Sequence, residues 1–176
     1  PSYPKRTLTN LLSTYDLDPG DKVYIDTGTN AYDVRVARSD ADGLAASPIV
    51  FLGPTNGAGA AFAGAVGRAD GFFLTNAAET RLRYLTVFAF TNGIEVYGST
   101  NIRVENCTAA SNRANGVYIL AGSVGPRVTA CTVRTNQNDG IKIDGIGTTG
   151  ARVSRNTVLR NVNSGIAFTG GASSSA

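Results

Sequence analysis

From residue 71 onward, apolar and polar positions alternate in short runs. In GIEVY, Ile94 and Val96 fall on one side of an extended segment and Glu95 and Tyr97 on the other. GVYIL, GIKID and GIAFT repeat the pattern with Val117 and Ile119, Ile141 and Ile143, and Ile166 and Phe168. A period of two predicts strands with one buried face. The runs recur. GFFLTNAAETRLRYLTVFAFTN, GIEVYGSTNIRVENCTAASNRAN, GVYILAGSVGPRVTACTVRTNQND and GIKIDGIGTTGARVSRNTVLRNVNS begin at Gly71, Gly93, Gly116 and Gly140, and a fifth copy begins at Gly165. The spacings are 22, 23, 24 and 25 residues. Repeats of this length are single structural units that bury their apolar faces only by stacking.

The growth in length has one location. From the leading Gly to the aligned apolar residue (Leu82, Val104, Val128, Val153) the count is 11, 11, 12 and 13. From the aligned Thr (Thr86, Thr108, Thr132, Thr157) to the next Gly it is 7, 8, 8 and 8. One loop is elastic and one turn is fixed, which predicts coils of three short strands, each pairing with its equivalent one rung away. Asn112, Asn136 and Asn161 align at the fixed turn. Asn tolerates left-handed backbone and its amide can bond the stacked copy, so a ladder of amides is expected there. Cys107 and Cys131 align with Asn156 and Leu85 and read as inward-facing thiols, with a disulfide between adjacent coils as the less favoured alternative.

Upstream the pattern loosens. DKVYID places Val23 and Ile25 inward, and PIVFLG places Ile49 and Phe51 inward, giving two further coils separated by a loop over 38–48. Before them, Leu8, Leu11, Leu12 and Leu17 in TLTNLLSTYDL are spaced for a short helix that caps the first coil, with Thr7 or Thr9 at its start. GPTNGAGAAFAGAVG (53–67) reads as a flexible or tightly turning coil segment. The expected organisation is one domain over 1–170: a cap segment over 1–20, irregular coils over 21–70, regular coils over 71–170. A flexible tail follows over 171–176.

This pattern, GI.I…V..NTV..N with the opening LDPGDKVYIDTG, resembles right-handed parallel β-helix repeat proteins over roughly residues 7–170. The resemblance implies an all-β solenoid of about six coils. Such repeats occur in pectin and alginate lyases, polygalacturonases, epimerases, phage tailspikes and large bacterial surface proteins. The opening segment most resembles repeats of very large secreted proteins, which implies an extracellular or cell-surface setting.

Composition removes several alternatives. The chain has no His, so Ser–His and Cys–His catalysis and His-ligated metals are excluded within it. Two cysteines are too few for a disulfide scaffold. No run of about 18 apolar residues is present, so no helical membrane span is expected. The chain opens on Pro1 without a signal peptide, as a mature or excised fragment would. SDADG (39–43) resembles the start of a calcium loop but lacks the later Glu; no cofactor is expected.

Charge is uneven. Residues 1–70 carry 8 acidic and 6 basic groups, residues 71–176 carry 5 and 10, and nine of those ten are Arg. Four of them, Arg81, Arg103, Arg127 and Arg152, hold one position in successive coils. Guanidinium groups suit carboxylate or sulfate, so the file is a candidate site for an acidic polysaccharide. The competing reading has the arginines splayed into water and paired with Glu105 and Glu79. Nucleic acid is disfavoured, since no aromatic platform lies beside the file.

A second candidate surface carries Glu95, Tyr118 and Lys142 in one file and Tyr97 and Asp144 in the next. NQNDGIKI resembles the polygalacturonase stretch whose paired acids activate water, but only Asp139 matches, because Asn138 stands at the other acid position. Lyases and epimerases of this fold abstract a proton next to a carboxylate, which makes Lys142 the candidate base, with Asp144 and Glu95 as neighbours. A neighbouring carboxylate favours the ammonium over the free amine, so NDGIKIDG reads mainly as a repeat turn. Two functions stay open: a structural or adhesive surface module binding acidic glycan, and a polysaccharide lyase or epimerase. The last coil, with Ile141, Ile166 and Phe168, is expected to be open and to self-associate or continue into further chain.

Overall fold

The structure is a computed structural model and describes residues 8–26, 36–39, 42–55, 60–64 and 70–175. Among them, strands stack into three parallel sheets. Sheet 1 is built from β1 (Lys22–Tyr24), β3 (Ile49–Leu52), β6 (Thr80–Arg83), β9 (Arg103–Glu105), β12 (Arg127–Thr129) and β15 (Arg152–Ser154). Sheet 2 contains β4 (Ala60–Ala63), β7 (Leu85–Phe88), β10 (Thr108–Ala110), β13 (Thr132–Arg134) and β16 (Thr157–Leu159). Sheet 3 contains β2 (Val36–Ser39), β5 (Asp70–Thr75), β8 (Asn92–Tyr97), β11 (Val117–Leu120), β14 (Ile141–Asp144) and β17 (Ile166–Thr169). The chain visits the sheets in turn, making an all-β solenoid of about five turns. Each strand lies about 4.8 Å from its copies above and below.

Inward positions are the ones the alternation predicts. Val23, Ile25, Ile49, Phe51, Leu82, Val104, Val128, Val87, Val133, Ile94, Val96, Val117, Ile119 and Ile143 are all buried. In the second coil one phenylalanine comes from each sheet. Phe72 meets Phe62 edge-on at 4.9 Å and Phe51 at 6.0 Å, so three rings fill the cross-section. Their registered successors are Leu82, Val87 and Ile94. The helix α1 (Leu8–Thr14) buries Leu8, while Leu11, Leu12 and Leu17 pack against the same core. The cap expected from Thr7 or Thr9 lies outside the described residues and side chains.

Four expectations need correction. The stretch 53–67 is not only a turning segment: β4 lies within it and pairs with β7. The expected loop over 38–48 is entered by β2 and holds a bridge between Leu44 and Ser47. Asn112, Asn136 and Asn161 form the expected ladder, yet the left-handed residue is the one before each: Ser111, Thr135 and Arg160. Finally, Ile141 is fully buried, because β17 stacks over it and places Ile166 against it. Ile166 and Phe168, one rung later, are 47% and 40% exposed.

Side-chain ladders tie the rungs. Asn136 Oδ1 accepts from the Asn112 backbone N–H and Nδ2 at 3.0 and 2.9 Å, and Asn161 Oδ1 serves Asn136 in the same way. The ladder begins at Phe90, whose N–H donates to Asn112. Cys107 and Cys131 are free, buried thiols in the core, as their alignment predicts. Burial pushes the Cys107 thiol well above its ordinary pKa. Residues 171–175, expected as a tail, carry contacts: Ser174 bridges Ala151 in parallel, and Ser175 Oγ accepts from Arg152 Nε at 2.8 Å.

Candidate functional site

The arginine file exists as a physical column. On the outer face of sheet 1, Arg81 registers with Arg103, Arg103 with Arg127, and Arg127 with Arg152. Below Arg81 the column continues through Val50 to Lys22. Arg81 and Arg103 are half-buried, whereas Arg127 and Arg152 are exposed. The acids expected to neutralise the file are occupied elsewhere. Glu105 Oε2 lies 3.2 Å from Nε of Arg83, in the neighbouring outward column, and Glu79 Oε1 accepts from Asn101 Nδ2 at 2.7 Å. Among the described residues no carboxylate forms an ion pair with Arg81, Arg103 or Arg127. Four like charges thus stand one rung apart on this face, and three of them, Arg81, Arg103 and Arg127, have no ion-pair partner among the described residues.

The first rungs of the same face form a cleft of about 450 Å³. Lys22 and Tyr24 line one side, Arg81 and Arg83 the other, and Val50 and Leu52 lie on the rung between. The Tyr24 side chain stands in solvent, at 73% exposure. The Nε atoms of both Arg81 and Arg83 are buried, and among the described residues neither has a hydrogen-bond partner. Arg83 is more constrained: besides its charge contact with Glu105, its guanidinium sits 5.4 Å from the centre of the Tyr84 ring.

On sheet 3, Glu95, Tyr118, Lys142 and Ala167 form one registered column, as the alignment predicts, with Tyr97 beside Leu120 and Asp144 beside Thr169 in the next. The structure turns this group inward on itself. Lys142 Nζ is 3.3 Å from Asp144 Oδ2 and 5.3 Å from the centre of the Tyr118 ring. The Tyr118 hydroxyl donates to Asp144 Oδ2 at 3.1 Å, and the Thr169 hydroxyl donates to Oδ1 at 2.7 Å. Donation from Thr169, then from Lys142 and Tyr118, holds the Asp144 carboxyl below its usual range. Desolvation, followed by the carboxylate of Asp144, pushes the Tyr118 phenol up to about 12. Glu95 accepts from Asn92 Nδ2 at 2.7 Å, while Tyr97 remains 45% exposed.

Asp139 stands apart from this group. It is 2% exposed and belongs to a second ladder at the residue before each leading glycine. Asp70 Oδ1 accepts from Asn92, Asn92 Oδ1 from Asn115, and Asn115 Oδ1 from the Asp139 N–H. Asp139 Oδ1 in turn accepts from Asn163 Nδ2 and the Ser164 N–H at 2.8 and 3.0 Å. Its carboxylate thus holds a turn.

The sequence family described as right handed beta helix region matches residues 66–176, more than half of the chain. The chain belongs to this family. A solved β-helix, the crystal structure of pectate lyase Pel9A, superimposes with a TM-score of 0.72 at 17% identity. The match covers 88% of this chain and 42% of that one, so the chain spans about two fifths of its neighbour's length. The likeness is one of fold. No curated protein matches.

Within this β-helix the structure brings the four file arginines together on sheet 1, and Glu95, Tyr97, Tyr118, Lys142 and Asp144 together on sheet 3. It separates Asp139 from both. The calcium-loop stretch lies partly outside the described residues, which include Asp42 but not Asp40 and Ala41. Among the described residues no group of three or more His, Cys, Asp or Glu is arranged to hold a metal ion, and no helix is long and apolar enough to cross a membrane. Sequence reasoning missed the cleft at Lys22 and Tyr24. The signal was present: DKVYI and TRLRY have the same parity, so Lys22 and Tyr24 stack with Arg81 and Arg83 once the irregular coils are aligned.

Proposed function

We propose that this β-helix is an extracellular or cell-surface module that binds an acidic polysaccharide along the sheet 1 file. One observation carries the reading: Arg81, Arg103, Arg127 and Arg152 are in register while Glu105 and Glu79 are engaged elsewhere. A column with one cation per rung, about 4.8 Å apart, matches an extended polymer bearing regularly spaced carboxylates or sulfates. The neighbour's name, pectate lyase, supports a polyuronate as the first probe. The test is retention on immobilised pectate, alginate and heparin at about 0.15 M salt. The expected result is retention of the wild type, weakening as salt rises, and its loss in the double variant Arg103→Ala, Arg127→Ala. Unchanged retention of that variant would overturn the reading. Secretion or surface display is checked by labelling intact cells with an antibody to the chain.

A second reading, a polysaccharide lyase or epimerase, is favoured by the clustering of Lys142, Asp144 and Tyr118 on an outer face. Lys142 would act as base. Against it, the Lys142 ammonium is already engaged by the Asp144 carboxylate at 3.3 Å and by the Tyr118 ring. Formation of ultraviolet-absorbing unsaturated uronate from pectate or alginate, abolished by Lys142→Ala, would favour the enzyme. Binding without product favours the module. The proposal extends to self-association through the last rung, where Ile166 and Phe168 are half-exposed and border a cavity of about 460 Å³. A strictly monomeric light-scattering profile at high concentration would count against that part.

A further inference from the structure

The geometry points to a second, distinct element of recognition: the cleft between Lys22 and Arg81 is a subsite for a single acidic sugar residue at the end of the bound polymer. This rests on the proposed role of the arginine file and adds to it a place where the polymer chain stops. From Arg81 upward the column is cationic at every rung, with no feature that marks a start. At the next rung down it changes character. Val50 is 8% exposed and Leu52 half-buried, so the floor there is apolar and low, and the flanking rungs rise around it. The resulting volume, about 450 Å³, lies within the range of small-molecule sites.

The lining suits one chemistry. An acidic sugar has an apolar face of C–H groups, a rim of hydroxyls and one charged group. The exposed Tyr24 ring and the side chains of Val50 and Leu52 offer surface for the apolar face. Lys22 and Arg81 stand two rungs apart, about 10 Å, so a carboxylate or sulfate between them meets a cation on either side. Arg81 contributes a buried Nε with no protein partner, a donor whose desolvation only a ligand or water offsets. Arg83 is held by Glu105 and Tyr84 and is pre-positioned on the cleft wall. A neutral sugar would leave the cations unmatched, and a small inorganic anion would leave the aromatic and apolar surface unused.

The experiment uses titration calorimetry with two defined probes, a uronate disaccharide and a sulfated disaccharide, on the wild type and three variants. Tyr24→Ala removes the ring, Leu52→Phe fills the cleft while keeping its cations, and the double variant Arg103→Ala, Arg127→Ala leaves the cleft intact. Circular dichroism and protection of the two buried thiols confirm that each variant is folded. At least one disaccharide is expected to bind the wild type. Its affinity falls by about tenfold or more in Tyr24→Ala and Leu52→Phe and stays unchanged in the Arg103/Arg127 variant, which loses polymer retention. Which probe binds distinguishes carboxylate from sulfate. Polymer retention without disaccharide binding, or disaccharide binding indifferent to both cleft variants, would overturn the subsite and leave the file standing. Loss of both polymer and disaccharide binding in the wild type would overturn the two together.

Discussion

At the scale of single residues, the molecule depends on amides and carboxylates that look ordinary in the sequence. Asn136 satisfies two donors of Asn112 through Oδ1, and its own Nδ2 donates to Asn161 Oδ1 and the Ala109 carbonyl. Replacing it with Ala leaves buried groups without partners, so Asn136→Ala is expected to cost about 3 kcal/mol, read as a lower denaturant midpoint. A second expectation concerns ionisation. Because the folded pKa of Tyr118 is raised to about 12, its contribution to stability is complete below the ordinary tyrosine value and fades as pH rises toward 12. Asp144, with a depressed pKa, contributes above the ordinary carboxylate value and loses that contribution as pH falls through its lowered one. Ultraviolet titration should show one late-ionising tyrosine that disappears in Tyr118→Phe. In Asp144→Asn it should move to lower pH while remaining above the ordinary value, since desolvation is its largest cause. The Asn112–Asn136–Asn161 ladder was legible because one residue type recurs. The ladder through Asp139 was not, because its rungs are Asp70, Asn92, Asn115, Asp139 and Ser164, and an isolated acid beside Lys142 reads as chemistry.

Among the elements, the leading glycines show how closely the coils approach at the fixed turn. A Cβ on Gly116 would lie 2.7 Å from Asn136 Nδ2 and 2.8 Å from the Gly140 carbonyl oxygen, and would also strike Val133 Cγ1. Gly116→Ala is therefore expected to destabilise by about 2 to 3 kcal/mol, with Gly122→Ala as comparison. Gly122 has open space around its Cβ position, and only its φ of 76° opposes the methyl group. Denaturant curves of the two variants separate steric crowding from backbone preference. The regular strands were legible from period and spacing alone. β4 was not, because Ala60, Ala61 and Ala63 carry little apolar signal and only Phe62 anchors it. Its pairing with β7 is a backbone event dictated by the coil above. The cleft escaped for a related reason: the rungs from Tyr24 through Leu52 to Arg83 are separated by spacings outside the 22–25-residue rhythm, so no column joined Tyr24 to Arg83 until the register was known.

Over the whole molecule, the three sheets do not share the burden of variation equally. Sheet 1 follows sheet 3 through connections at 76–79, 98–102, 121–126 and 145–151, of four, five, six and seven residues. Between registered positions (Thr75 to Arg81, Tyr97 to Arg103, Leu120 to Arg127, Asp144 to Arg152) the span is equal in the first two coils and grows by one residue in each of the next two, and the strands on either side keep their partners. On the longest of these connections Ile146 is 88% exposed and Gly147 takes a φ of 84°. This corner is therefore a graft site. A foreign peptide spliced between Ile146 and Gly147 should leave the melting temperature nearly unchanged, whereas the same peptide placed after Asn136 would part both ladders and unfold the coil. Successive inserts on adjacent corners would project as a comb of loops whose pitch is set by the rungs, a display geometry that the protein offers without any redesign of its interior.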